Sequence, residues 1–258
     1  MSGAREFLDG LLRGRLPEAS RAWLAEAQRS VEALAPGPGP SFATLLSQAS
    51  RRIPRGDLAP TADELGRANE VLEGWNPERW TKLESARALL VLARSDLATP
   101  AGAAAIEEAF RYADMGEWCA LYKVLALLPQ PQRFVWRAGE GCRSSMKSVF
   151  ESVACDNPLP VRHFDDVAWR QMLIKALFVE APLERVFGLE ARLDGETARM
   201  ALDLADERRS AGRPVNPDSW RLVANFGGAR GIASLERELA SGTSAGKAAA
   251  SAVLARLR

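Results

Sequence analysis

The chain has 258 residues, 47% apolar and 26% charged, values of a globular protein that can bury a sizeable core. Its 34 basic and 33 acidic side chains leave a formal charge of +1, without the basic excess of a dedicated nucleic-acid binder. Three cysteines are odd in number and too few for a disulfide framework, which fits reduced thiols in a cytoplasm.

The opening MSGAREFLDGLLRGRLPEA mixes acids with bases and lacks the continuous apolar core of a signal peptide. The most apolar runs, ALLVLA and VLALL, are too short to cross a bilayer. Helical patterns are expected over 17–34, 41–52 and 61–73. Between the first two lies APGPGP, Ala35 to Pro40, the one linker-like stretch. The segment before it is too short to bury a core alone, so the stretch is expected to join helices, not domains.

A capping residue followed by proline marks a helix start at Asn76-Pro77, Thr99-Pro100 and Asn216-Pro217. After the first of these, Trp80, Leu83, Ala86, Leu90 and Ala93 recur at three and four, a helical stripe. Further helices are expected at 101–113, 116–128, 131–154, 165–179, 194–211, 217–225, 231–241 and 244–257. Convincing strand signals are missing. The pattern predicts an all-α chain, one domain over 1–258, as an irregular α-α superhelix or HEAT-like α-solenoid. GIASLERELASGTSAGKAAASAVLARL supplies a HEAT-like helix pair at about 229–258.

Residues 140 to 164 hold two of the cysteines and the single histidine. On a continuous helix over 131–153, Arg133, Arg137, Glu140, Ser144, Lys147 and Glu151 share one face. Cys142 then falls on the apolar face with Val135, Ala138, Met146, Val149 and Val153. Cys155 lies well round the cylinder from Cys142, so two thiols and one imidazole at these spacings make no metal site. The helix stops at DNPLP, with Asn157 pushed to extended backbone before proline. Asp165 is the expected N-cap of the next helix, with Phe164 and Trp169 spaced as a hydrophobic staple. His163 then lies just outside a helix N-terminus, which favours a neutral ring. It reads either as a turn histidine bonded to backbone or as a ligand or base.

AWRQMLIKALFV, residues 168 to 179, is apolar nearly all round, which implies a central helix. Lys175 on it must find an acid such as Glu140 or Asp206, carry a lowered pKa, reach a wet cavity, or snorkel. Arg208, Arg209, Arg213 and Arg221 lie close to Asp206 and Glu207 in sequence, with Gly212 expected just past a helix end and Pro214 as the stop. Interleaved acids weigh against nucleic acid there. The Arg133, Arg137 and Glu140 face is either solvated or an anion or partner surface. No phosphate loop, GxGxxG, HExxH or CxxC occurs. Cys142, Ser144 and Ser145 have one imidazole to partner and no strained elbow around them, so hydrolase chemistry is unsupported.

LYKVLALLPQPQRFVWRAGEGCRSSMKSVFESVACDNPLPVRHFDDVAWRQMLIKALF resembles the EboA-domain family of bacterial ebo gene clusters. The likeness continues in outline through TARMALDLADERRSAGRPVNPDSWRLV, and weakly into LSQASRRIPRGDL and WNPERWTKLESARALLVLA. The resemblance implies a context of secondary-metabolite synthesis and precursor export. Neighbours there include a UbiA-type prenyltransferase, a TatD-like hydrolase, a sugar-isomerase-like barrel and a dehydroquinate-synthase-like enzyme. It supplies no catalytic residues. Positions matching its pattern are Arg133, Glu140, Cys142, Arg143, Asp156, Asn157, His163, Phe164, Lys175, Arg208 and Arg213, while Cys155, Ser144 and Ser145 stand outside it.

The expected function is that of a cytoplasmic, non-catalytic accessory or scaffold protein, without cofactor, metal or transmembrane segment. It would bind a small anionic or polar pathway intermediate, or another ebo-cluster protein such as the prenyltransferase at the inner membrane. Candidate binding residues are Arg133, Arg137, Glu140, Arg143, Asp156, Asn157, His163, Lys175, Arg208 and Arg213. The alternative is an enzyme acting on a polar or phosphorylated intermediate in a pocket of Lys175, His163 and arginines.

Overall fold

The computed structural model describes residues 2–257, and for Ser2 and Pro40 the backbone alone. All regular structure among them is helical, apart from an isolated bridge between Asp57 and Thr81. The chain divides into two compact units, one running to His163 and the other starting at Phe164.

The first unit holds α1 (Ser2–Arg13), α2 (Glu18–Glu32), α3 (Pro40–Arg52), α4 (Ala62–Val71), α5 (Lys82–Leu92), α6 (Pro100–Tyr112), α7 (Met115–Val124), α8 (Val135–Arg143), α9 (Lys147–Ala154) and α10 (Leu159–His163). At its centre is α5, buried at every position from Ser85 to Leu92 and packed by α1, α2, α3 and α7. Thr81 and Glu84 close a capping box that starts it. The helix therefore opens five residues beyond the Asn76-Pro77 start expected from sequence. Asn76 instead turns the backbone, its Oδ1 accepting from Glu78 N at 3.0 Å. Thr99-Pro100 does open α6, with Thr99 Oγ1 accepting from Gly102 N at 3.1 Å.

APGPGP is pinned rather than loose. Asp96 Oδ2 accepts from Gly37 N at 2.8 Å, and Arg94 Nη2 donates to Gly37 O at 3.1 Å. Gly37 has φ +100°, a left-handed backbone suited to glycine. Burial raises the Asp96 carboxyl, but Arg94 and the Gly37 amide outweigh it and hold the group below its ordinary range.

The continuous helix expected over 131–154 is broken. A 3-10 turn at Pro131–Phe134 leads into α8, and α9 restarts at Lys147. The apolar spacing runs through the break, but Ser144 turns extended and its Oγ accepts from Met146 N at 3.1 Å. A serine side chain that offers the backbone this bond competes with the helix. The shared face built on a continuous helix is therefore lost beyond Arg143. Where α8 nears α7, Gly141 leaves no room for a side chain: a Cβ would meet Tyr122 at 2.8 Å and Val153 at 2.7 Å.

The second unit holds α11 (Asp166–Val179), α12 (Gly195–Ser210), α13 (Ser219–Val223), α14 (Gly228–Ser241) and α15 (Ser244–Leu257). Asp165 caps α11, accepting from Ala168 N at 2.7 Å, and Phe164 and Trp169 are both buried at staple spacing. Gly212 has φ +66° after α12, while Arg213 N donates to Arg208 O and Gly212 N to Arg209 O, a Schellman end. Trp220 of α13 is fully buried beneath the Arg209 guanidinium, 5.2 Å from its ring centre. The α14 and α15 pair is packed together.

Candidate functional site

The first unit contains a cavity of about 840 Å³ among α3, α6 and the start of α7. Its lining includes Ser47, Gln48, Arg51, Glu108, Tyr112 and Asp114, with Glu117 in the wall. Behind it, α5 carries Arg87 in its apolar run. Each neighbouring leucine buried there contributes roughly 2 kcal/mol, less than a stranded guanidinium would cost, so Arg87 must be paired. It is: Nη2 lies 3.3 Å from Glu117 Oε1, and Nε donates to Leu46 O at 3.2 Å. Arg87 and Glu117 are 3% and 6% exposed.

Glu117 is fully engaged. Its Oε1 also accepts from Ser47 Oγ at 2.7 Å, and its Oε2 accepts from Asp114 N at 3.0 Å. Asp114 Oδ1 accepts in return from Glu117 N at 2.7 Å, a capping box that fixes the start of α7. Trp118 Nε1 donates to Phe110 O at 2.9 Å and ties α7 to α6. Three helices and a buried ion pair thus hold the cavity wall. The groups left for a ligand are Glu108, Arg51, Gln48, the second oxygen of Asp114 and the Tyr112 ring, which is 64% exposed. Among the described residues, Glu108 and Arg51 have no ion pair or side-chain hydrogen bond.

On the other side of α6, Glu107, Glu108, Phe110, Arg111 and Arg137 line a second cavity of about 590 Å³ with Pro38. Arg137 donates from both Nε and Nη2 to one Glu107 oxygen, Oε2, and its guanidinium lies 5.0 Å from the Phe110 ring centre and 4.9 Å from that of Trp136. Phe110 packs on Tyr122 with centroids 4.7 Å apart. Burial pushes the Tyr122 phenol up to about 12, with Arg137 opposing. Glu108 borders both cavities.

The other candidates expected from sequence take varied places. Glu140 pairs with Arg143 at the exposed side of α8. Arg133 is half-buried in the 3-10 turn, and its Nη1 is buried without a hydrogen-bond partner among the described residues. Asp156 has φ +55°, and its backbone carbonyl accepts from Asn76 N at 3.3 Å. Asn157 is 5% exposed and fastens the turn, Nδ2 donating to Ser152 O at 3.1 Å and Oδ1 accepting from Leu159 N at 3.0 Å. That bond opens α10 where sequence suggests only a stiff connection. His163 ends α10, half-buried, its pKa lowered by burial and by Arg162.

In the second unit, Arg208 Nε donates to Pro214 O at 2.6 Å, and Arg213 is exposed at the same helix end. Lys175 is half-buried and has no ion pair or hydrogen bond among the described residues. Its helix is not enclosed: Val167 and Phe178 are 59% and 53% exposed. Asp206, one acid expected for Lys175, is bound instead by Arg230 at 2.8 Å, with Arg209 and Arg237 at 3.6 Å. Burial pushes the Cys142 thiol up to about 12, which disfavours the thiolate at neutral pH. Among the described residues no three His, Cys, Asp or Glu side chains are grouped to hold a metal ion.

Two features escape the sequence reading. Arg87 is a lone cation in an apolar helix, the same signal that drew attention to Lys175. Gly242-Thr243-Ser244-Ala245-Gly246 matches GxSxG, but it joins two helices, without the strand that precedes a nucleophile elbow. Its glycines serve packing: a Cβ at Gly242 or Gly246 would lie 2.2 or 2.1 Å from Glu238 Oε1.

Comparison with curated proteins and with solved structures finds no match. No helix among the described residues is long and apolar enough to cross a membrane. The family described as metabolite traffic protein EboA matches residues 4–224, through nearly all of the first unit and most of the second. The chain belongs to that family.

Proposed function

We propose that the protein serves metabolite traffic by binding a polar pathway intermediate, as a cytoplasmic, non-catalytic accessory to the enzymes that make or export it. The observation that carries this is the 840 Å³ cavity whose wall is fixed by the buried Arg87–Glu117 pair and its hydrogen bond from Ser47. Such a wall holds its groups in place before a ligand arrives, which lowers the cost of binding. The volume lies within the range of small-molecule sites. Partner proteins of the same pathway, including a prenyltransferase at the membrane face, belong to this reading as recipients of the ligand. The test is native mass spectrometry of protein purified from its own cells, beside a Ser47→Ala, Gln48→Ala variant. A small molecule should leave with the wild type and be depleted in the variant. Absence of any bound molecule or pathway protein would overturn the reading.

A second reading, an enzyme using His163, Lys175 and arginines, draws support from the neutral ring that the lowered pKa of His163 gives. Turnover of a pathway intermediate that His163→Gln abolishes would establish it. The remaining candidates, Arg133, Glu140, Arg143, Asp156, Asn157, Arg208 and Arg213, are proposed as partner-facing or turn-fixing residues. Packing of α14 on α15 supports the proposed HEAT-like pair within a superhelical arrangement. The proposed single domain over 1–258 should melt in one calorimetric transition.

A further inference from the structure

The charges at the larger cavity do not balance. Arg87 and Glu117 neutralise each other in the wall. What faces a ligand is then two carboxylates, Glu108 and Asp114, against the single guanidinium of Arg51. A phosphate or a second carboxylate entering there would meet more repulsion than attraction. The remaining polar side chains are the Gln48 amide and the Thr44, Ser47 and Ser50 hydroxyls, of which Ser47 and Ser50 already donate, to Glu117 and to Ser47 O, and keep acceptor capacity only. Carboxylates accept from hydroxyl groups, guanidinium donates to them, and an amide does both, so this set suits several hydroxyls on one small molecule. Tyr112, 64% exposed at the same cavity, offers a ring face for the C–H side of such a molecule.

We infer that the cavity among α3, α6 and α7 takes a neutral polyhydroxylated ligand and rejects its phosphorylated forms, an inference that rests on the ligand-binding reading above. Glu108 is the principal hydroxyl acceptor. Tyr112 is the platform. The buried Arg87–Glu117 pair is a positioning device that holds Ser47 and the α7 start.

The full-length protein is titrated with myo-inositol, sorbitol, myo-inositol 1-phosphate and inorganic phosphate, read by saturation-transfer NMR and calorimetry. A neutral polyol should bind at least tenfold more tightly than either phosphate. Glu108→Ala and Tyr112→Ala should each weaken it about tenfold with an unchanged melting temperature. Tighter binding of a phosphate, or polyol binding that neither variant alters, overturns the inference and leaves the ligand-binding reading standing. If no probe binds while a small molecule still leaves with the purified protein, the inference again falls alone. If neither is seen, both fall.

Discussion

Arg87 and Glu117 lie 3.3 Å apart, 3% and 6% exposed, and their pairing lets a charged residue occupy the central helix of the first unit. Removing one partner leaves the other stranded. Arg87→Met should cost about 3–5 kcal/mol in urea denaturation, far more than the lost bond itself. Arg87→Met combined with Glu117→Leu should recover at least half of that loss, because no buried charge then remains. A double variant no more stable than Arg87→Met would show that the pair stabilises by packing rather than by charge balance.

Asn157 makes the turn between α9 and α10 through both ends of its amide. Its Nδ2 reaches Ser152 O at 3.1 Å and Tyr122 O at 3.5 Å, while Oδ1 holds Leu159 N at 3.0 Å. Asn157→Ala leaves buried backbone groups without partners and should cost about 3 kcal/mol. Asn157→Asp should fare no better, since a carboxylate cannot donate to either carbonyl. Thermal melts of the two variants check this, and a near-neutral Asn157→Ala would contradict the role.

What the sequence made legible is local. Asp165 and Thr99 announce their helices because a cap acts over three residues, and Gly212 announces the end of α12 in the same way. The break after Arg143 is hidden because apolar spacing continues through Ser144 and Ser145, and no proline or glycine stands between Cys142 and Lys147. The cavity was hidden for a different reason: Ser47 and Glu117 are seventy residues apart and meet only through packing. Arg87 was the one visible trace, a cation among alanines and leucines. The apolar stripe of its helix runs past it, and the equally apolar pattern around Lys175 belongs to a helix with exposed flanks.

Asp194 links α11 to the start of α12, accepting from Arg170 Nε at 3.0 Å and from Thr197 N at 2.7 Å. Arg170, with the Thr197 bonds, holds its carboxyl at about 2, below the ordinary value of 3.8. A carboxyl depressed on folding adds stability above its unfolded value and loses it as pH falls through the folded one. The contribution should therefore fade between about pH 4 and pH 2. Solvent screening at this partly exposed group keeps it small, roughly 1 kcal/mol with the cap included. Asp194→Asn keeps a capping oxygen but cannot titrate. Its melting temperature should fall less between pH 5 and pH 2 than that of the wild type, and parallel curves would refute the assignment.

Lys175 offers the sharpest contrast with Arg87. Both are cations on apolar helices, but Arg87 is sealed against Glu117, whereas Lys175 is half-buried and without an ion pair among the described residues. A long stem can cover apolar surface while its ammonium stays in water. Lys175→Met keeps that stem and removes the charge, so no acid is left stranded. Stability should stay within about 0.5 kcal/mol of the wild type, against the 3–5 kcal/mol expected for Arg87→Met. A loss above 2 kcal/mol would reveal a buried partner for the ammonium. With stability intact, complementation of a strain lacking the gene isolates the functional question: failed metabolite production would place Lys175 in a ligand or partner site, and full complementation would leave it as covering for its own helix.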